Sequence, residues 1–173
     1  LMGETEVTEA LWNAVMSNGG GSNTHPKTSV TWEEAHTFVD KLTEIAREQG
    51  LITGDMRFRL PTEAQWEFAA KGGNEGCKNL TVFSGSDNYS EVGWWQDNSA
   101  IGSTKSLHEV AQLKANLLGL YDMSGNVGEW CYDYGVPYGY EYSLEPETDP
   151  IGPAENLNDT KIYRGGYYST YDT

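Results

Sequence analysis

Cysteine is scarce in this chain of 173 residues: Cys77 and Cys131 are the only two, with no CxxC pair and no histidine cluster beside them. Neither a zinc site nor a dithiol redox centre is therefore suggested. Free thiols are the simpler expectation over a disulfide. Histidine is also sparse, and His25, His36 and His108 are far apart and flank no nucleophile, so none is read as catalytic. Positive charge is the third shortage, with 11 basic residues against 26 acidic ones, a net charge of −15 and a pI of about 4.4. The basic residues are scattered, whereas a nucleic-acid binder needs a basic patch to displace counterions from phosphates, so DNA and RNA are excluded as expected partners. The same repulsion disfavours anionic membrane surfaces. No apolar run approaches the ~20 residues that cross a bilayer, so no membrane insertion is expected. The opening Leu1-Met2-Gly3-Glu4 lacks the basic start and apolar stretch of a signal peptide.

What is present fits a loop-rich globular domain: 38% hydrophobic and 12% aromatic residues, with 20 Gly, 11 Tyr and 6 Trp. A disordered acidic tail would be poor in aromatics. A single domain of this length buries about 70% of the surface that its unfolded chain exposes, enough for a core without staples. Three helices are predicted. Thr8 caps the first, which places Leu11, Trp12, Val15 and Met16 on one face and stops at Asn18-Gly19-Gly20-Gly21. Thr31-Trp32-Glu33-Glu34 is a capping box that opens a helix running to about Gln49, with Ala35, Phe38, Val39, Leu42, Ile45 and Ala46 at helical spacing and Gly50 as its stop. Pro61-Thr62-Glu63-Ala64-Gln65 repeats the box for a short helix to about residue 70, packed through Trp66, Phe68, Ala69 and Ala70. Arg57–Leu60 alternates like a short strand. Beyond Gly72-Gly73, short apolar pieces between Gly, Asn, Asp and Ser predict loops, a few strands and little helix.

Five segments, in order, carry a resemblance: Glu6-Val7-Thr8-Glu9-Ala10-Leu11-Trp12; Val30 to Ala35; Arg59 to Ala70; Gly119-Leu120-Tyr121-Asp122-Met123-Ser124-Gly125-Asn126-Val127-Gly128-Glu129-Trp130; and Tyr163-Arg164-Gly165-Gly166. Together they resemble the sulfatase-modifying-factor, or formylglycine-generating enzyme, domain across nearly the whole chain. The resemblance implies an α+β fold that is a variant of the C-type lectin fold, with short twisted antiparallel sheets, two to three helices and much irregular loop. It implies one domain over 1–173, without the family's first strand and its C-terminal segment.

The resemblance also sets expectations that this chain departs from. Family members that convert a sulfatase cysteine to formylglycine carry a copper-binding cysteine pair shortly after Arg-Gly-Gly, and thiolates are the soft ligands that Cu(I) selects. Here Thr170 stands at the first of those positions, and Cys77 and Cys131 match neither, so copper is not expected in this chain and no catalytic residue is named. The matching family positions imply a structural calcium site at Asp122, Gly125, Val127 and Glu129, with carboxylates from the first and last and carbonyls from the middle two. Calcium takes six to eight oxygens, and a short loop supplies them in this way. On the loop's own chemistry a second reading stands, in which Asp122 and Asn126 satisfy turn amides and Glu129 is solvated.

The lectin-type fold carries function on loops. Tyr167, Tyr168, Ser169, Thr170, Tyr171 and Asp172 have the tyrosine-rich, hydroxyl-rich composition of binding loops, and the separate Tyr-rich stretch of Tyr132, Tyr134, Tyr138, Tyr140 and Tyr142 adds to it; packing against the core is the competing reading. The expectation is a non-catalytic domain that binds a protein or glycan ligand, similar to the variable proteins of diversity-generating retroelements. An oxidase whose cysteines lie outside this chain is the alternative, and an accessory module of a larger protein is a third. A secreted, periplasmic or cell-surface setting is slightly favoured.

Overall fold

A computed structural model describes residues 1–16, 19, 21–136, 145, 147–153 and 160–169. The first two helices, α1 (Glu9–Met16) and α2 (Trp32–Glu48), form one packing unit. Thr8 Oγ1 accepts the Leu11 amide, as an N-cap should. Both halves of the α2 capping box are present: Thr31 Oγ1 takes the Glu34 amide, and the Glu34 carboxylate takes the Thr31 amide at 2.8 Å. The helix closes with the Leu51 amide reaching back to the Ala46 carbonyl. Trp12 stacks on Phe38 with ring centroids 5.0 Å apart and planes 4° from parallel, and Val15, Val39, Leu42 and Ile45 complete the cluster. Leu11, expected on the buried face of α1, is 43% exposed, because only the stripe facing α2 is covered.

The third helix, α3 (Glu63–Ala70), has the Thr62/Gln65 capping box that its sequence predicts. The Asp133 carboxylate also accepts the Glu63 amide at 2.8 Å, placing a negative group at the helix N-terminus. Trp66 and Ala69 pack with Leu120, Met123 and Cys131 into a second core cluster. Phe68 does not join it and is 46% exposed. Two one-turn helices follow, α4 (Gly73–Gly76) and α5 (Tyr89–Val92). The expected strand at Arg57–Leu60 belongs to no ladder: Thr43 Oγ1 on α2 takes the Phe58 amide instead.

The described strands form two antiparallel ribbons, β1 (Ala100–Ile101) with β2 (Thr104–Lys105), and β3 (Glu129–Tyr134) with β4 (Lys161–Arg164). In the second, Glu129 faces Arg164 and Trp130 faces Tyr163, and the register shifts before Tyr134 meets Lys161. Indole N–H groups bolt this ribbon to the entry of α2: Trp32 donates to the Cys131 carbonyl and Trp130 to the Val30 carbonyl. Lys161 Nζ lies 3.3 Å from the Tyr134 ring centroid and 4.0 Å from that of Trp32, with the Tyr132 ring also facing it. Tyr132 and Tyr134, grouped by sequence with the binding tyrosines, thus enclose a lysine. Cys77 and Cys131 are both free thiols, and burial pushes the Cys131 thiol up to about 12. Among the described residues no helix is long and apolar enough to cross a membrane.

Candidate functional site

The loop from Asp122 to Glu129 enters β3 beneath the Arg164-Gly165-Gly166 turn. It doubles back sharply, with φ of 57° at Asp122, 98° at Gly125 and 60° at Asn126. Gly125 is required twice over, by that φ and by crowding, since a Cβ there would collide with the Trp94 carbonyl. Its amide donates to the Gly165 carbonyl at 2.6 Å, joining loop and turn directly.

The predicted cation ligands lie in an acidic, poorly solvated setting. Asp122 Oδ2 accepts the Ala111 amide at 2.7 Å, while Oδ1 is buried with no hydrogen-bond partner. Burial raises the Asp122 carboxyl above the ordinary carboxylate range, and the Ala111 amide opposes this. Burial pushes Glu129 up to about 7; the neighbouring Trp66 indole pulls it down and the Asp122 charge pushes it further up. The Trp66 Nε1 itself makes no hydrogen bond of ordinary geometry.

A third carboxyl joins them that the sequence did not flag. Glu6, from the Glu-Val-Thr segment, accepts the Val127 amide at 3.1 Å and the Asn126 side-chain amide at 2.9 Å. Burial, then Glu129, then Asp122 drive it up to about 9, against those two hydrogen bonds. Burial raises all three acids, Asp122 raises Glu129, and both raise Glu6, so a cation beside them would relieve both repulsion and desolvation. The orphaned Asp122 Oδ1 and this donor set of hard oxygens fit calcium. No cluster of three or more His, Cys, Asp or Glu with metal-holding geometry occurs among the described residues. Carbonyls such as those of Gly125 and Val127 would thus have to complete a coordination sphere.

Of the six predicted ligand-binding residues, Tyr167, Tyr168 and Ser169 are described; Thr170, Tyr171 and Asp172 lie outside the described residues, as do Tyr138, Tyr140 and Tyr142. Tyr167 and Ser169 are exposed and Tyr168 is half-buried. Tyr167 and Tyr168 line a cleft of about 350 Å³ together with Trp130, Tyr163 and Lys27. Trp130 and Tyr163 meet edge to face, 6.0 Å between centroids, and Lys27 supplies a positive charge in an otherwise acidic protein. Sequence reasoning missed Glu6, Lys27 and the hub at Asn126; the Glu-Val-Thr segment was the one signal pointing near them. Asn98 is spent on its own turn, accepting the Trp95 amide and donating to the Gly93 carbonyl.

Helices packed on short antiparallel ribbons, with an acid-lined loop under an Arg-Gly-Gly turn, define a C-type-lectin-like α+β domain. Residues 1–173 match the model of the sulfatase-modifying factor enzyme 1-like domain, and the chain belongs to that family. It is 33% identical over 174 aligned residues to the chaperone protein LppX of Paenibacillus barcinonensis, covering 77% of this chain and 61% of that protein. It is 32% identical over 163 residues to the formylglycine-generating enzyme of Streptomyces coelicolor, covering 88% of this chain and 45% of the enzyme. Among solved structures, Treponema denticola variable protein 1 superposes with a TM-score of 0.75 at 29% identity, covering 98% of this chain and 73% of that one. The chain thus spans about half the length of these curated relatives.

Proposed function

We propose that this chain is a non-catalytic ligand-binding domain whose contact surface is the segment after Arg164-Gly165-Gly166, acting on a protein or glycan ligand. The observation that carries the reading is the cleft: Tyr167 and Tyr168 stand on its wall beside Trp130, Tyr163 and Lys27. Concave sites lined by aromatics with a few polar groups are the usual form of a binding pocket. Tyrosine gives large contact area at low entropic cost. The likeness to a Treponema denticola variable protein supports the same reading, and with it kinship to the retroelement-diversified binders. A structural calcium ion at Asp122, Gly125, Val127 and Glu129 belongs to the proposal. When bound, it supplies positive charge to the desolvated carboxyls and ties the loop together.

The test is binding of the purified chain to a glycan array and to a panel of surface proteins, repeated with Tyr167→Ala and Trp130→Ala. Hits that both variants lose support the cleft; hits that survive both overturn it as the contact surface. The likeness to the Streptomyces coelicolor enzyme favours one other reading, a formylglycine-generating oxidase completed by cysteines outside this chain. Aldehyde formation on a sulfatase-motif peptide with added copper would establish that reading over the binding one.

A further inference from the structure

Asn126 has no solvent exposure, and its hydrogen bonds tie together four separate stretches of chain. Its side-chain oxygen accepts the His108 amide at 2.9 Å, and its side-chain nitrogen donates to Glu6 Oε2 at 2.9 Å and to the His108 carbonyl at 3.2 Å. Its backbone amide donates to the Trp94 carbonyl at 2.9 Å, and its own carbonyl accepts the Tyr168 amide at 2.9 Å. Asparagine suits this point on two counts. It offers one acceptor and two donors at the right reach, and it tolerates a φ of 60° better than most residues. Aspartate would lack the donors, and an apolar residue would lack both.

The contacts close into a ring around Tyr168. Ser99 Oγ donates to the Tyr168 carbonyl at 2.7 Å, His108 Nε2 faces the Ser99 carbonyl at 3.1 Å, and the His108 amide returns to Asn126. The Trp94 ring stacks on His108, 3.7 Å between centroids, and closes one side. The Tyr168 amide is therefore fixed to Asn126 itself, and its carbonyl to Ser99, which His108 links back to Asn126. Glu6 completes the arrangement by taking the Val127 amide on its other oxygen, which sets the direction of the Asn126 backbone.

The structure assigns Asn126, clamped by Glu6, the role of positioning residue for the binding segment: it sets where Tyr167 and Tyr168 stand relative to the 122–129 loop. This rests on the reading of residues 167–169 as a contact surface. Alanine at position 126 keeps the backbone carbonyl but loses the three side-chain bonds that aim it, so the Tyr168 amide should open more often.

The experiment is hydrogen exchange by mass spectrometry on the whole chain, following the peptide over residues 164–169. Asn126→Ala is compared with Val15→Ala, a core variant in the α1–α2 cluster, at urea concentrations that give both the same overall stability. Exchange in 164–169 is expected to rise about tenfold more in Asn126→Ala than in the control. Equal exchange in the two overturns the assignment. A donor–acceptor swap gives a second readout. With Glu6→Gln and Asn126→Asp combined, the amide oxygen introduced at position 6 can still take the Val127 amide, and its nitrogen can donate to the carboxylate introduced at position 126. Each single change should loosen 164–169, and the double should loosen it less than the worse single change, although the bond to the His108 carbonyl stays lost. A double variant no better than the worse single one overturns the clamp, including where Asn126→Ala fails to fold. Failure of the ligand-binding reading looks different: Tyr167→Ala would bind everything the parent binds while exchange at 164–169 still follows Asn126.

Discussion

With no cation bound, the protein should lose stability as pH rises across neutrality, the reverse of ordinary carboxylate behaviour. Glu6 and Glu129 are held at about 9 and about 7, against 4.5 for a free glutamate, and Asp122 is shifted in the same direction. Between those limits the folded chain keeps protons that the unfolded chain has released. Stability therefore falls progressively from about pH 4.5 upward, the loss ending near 7 for Glu129 and near 9 for Glu6. One retained proton corresponds to about 1.4 kcal/mol per pH unit, so Glu6 alone sets that slope above pH 7, and two protons double it below. The assay is urea unfolding followed by circular dichroism between about pH 6 and pH 8, in EDTA and in excess calcium. In EDTA the midpoint should drop by roughly 0.5 to 1.5 M urea per pH unit. In calcium the slope should flatten, because the bound ion holds the carboxyls ionised in the folded state. A flat or rising midpoint in EDTA refutes the burial argument; an equally steep fall with calcium refutes the cation site.

Two further outcomes are expected from the fold. Thr31→Ala removes the side-chain half of the α2 capping box and should cost about 1 kcal/mol, read as a lower midpoint with unchanged slope. Lys161→Met keeps the alkyl stem but removes the charge enclosed by Trp32, Tyr132 and Tyr134 and the hydrogen bond to the Tyr132 carbonyl; a loss of about 1–2 kcal/mol is expected, and no loss would mean that the rings hold the stem alone.

The helices were readable because their signals are local. Thr31 with Glu34 and Thr62 with Gln65 announce their starts three residues ahead, and the structure keeps both boxes. What failed was the finer assignment of faces. Leu11 and Phe68 sit on eight-residue helices that are covered along one stripe, and no local pattern says which stripe that will be. The alternation at Arg57–Leu60 misled for a similar reason: its amide is taken by a side chain on α2, so alternation there marks a tether and not a ladder. In the candidate site, Asp122 and Glu129 could be named because they bracket one short loop that carries the family resemblance. Glu6 could not, since its partner Val127 is 121 residues further along and nothing around it in the sequence signals burial. Asn126 read as an ordinary turn residue, which it is, but its side chain does more than cap the turn.

The reach from Glu6 to Val127 also sets an order of events during synthesis. At about 5–20 residues per second, Glu6 waits roughly 6–25 seconds after it is made before its partner exists. The helix pair α1 and α2 can meet in that interval, since their contacts lie close in sequence. The Glu6 carboxyl cannot be buried productively, and it stays hydrated and ionised. Only when the 122–129 loop emerges does it have to take up a proton, or the loop a cation, to be enclosed. The acid that closes the site is thus made well before its partner and is among the last groups to settle.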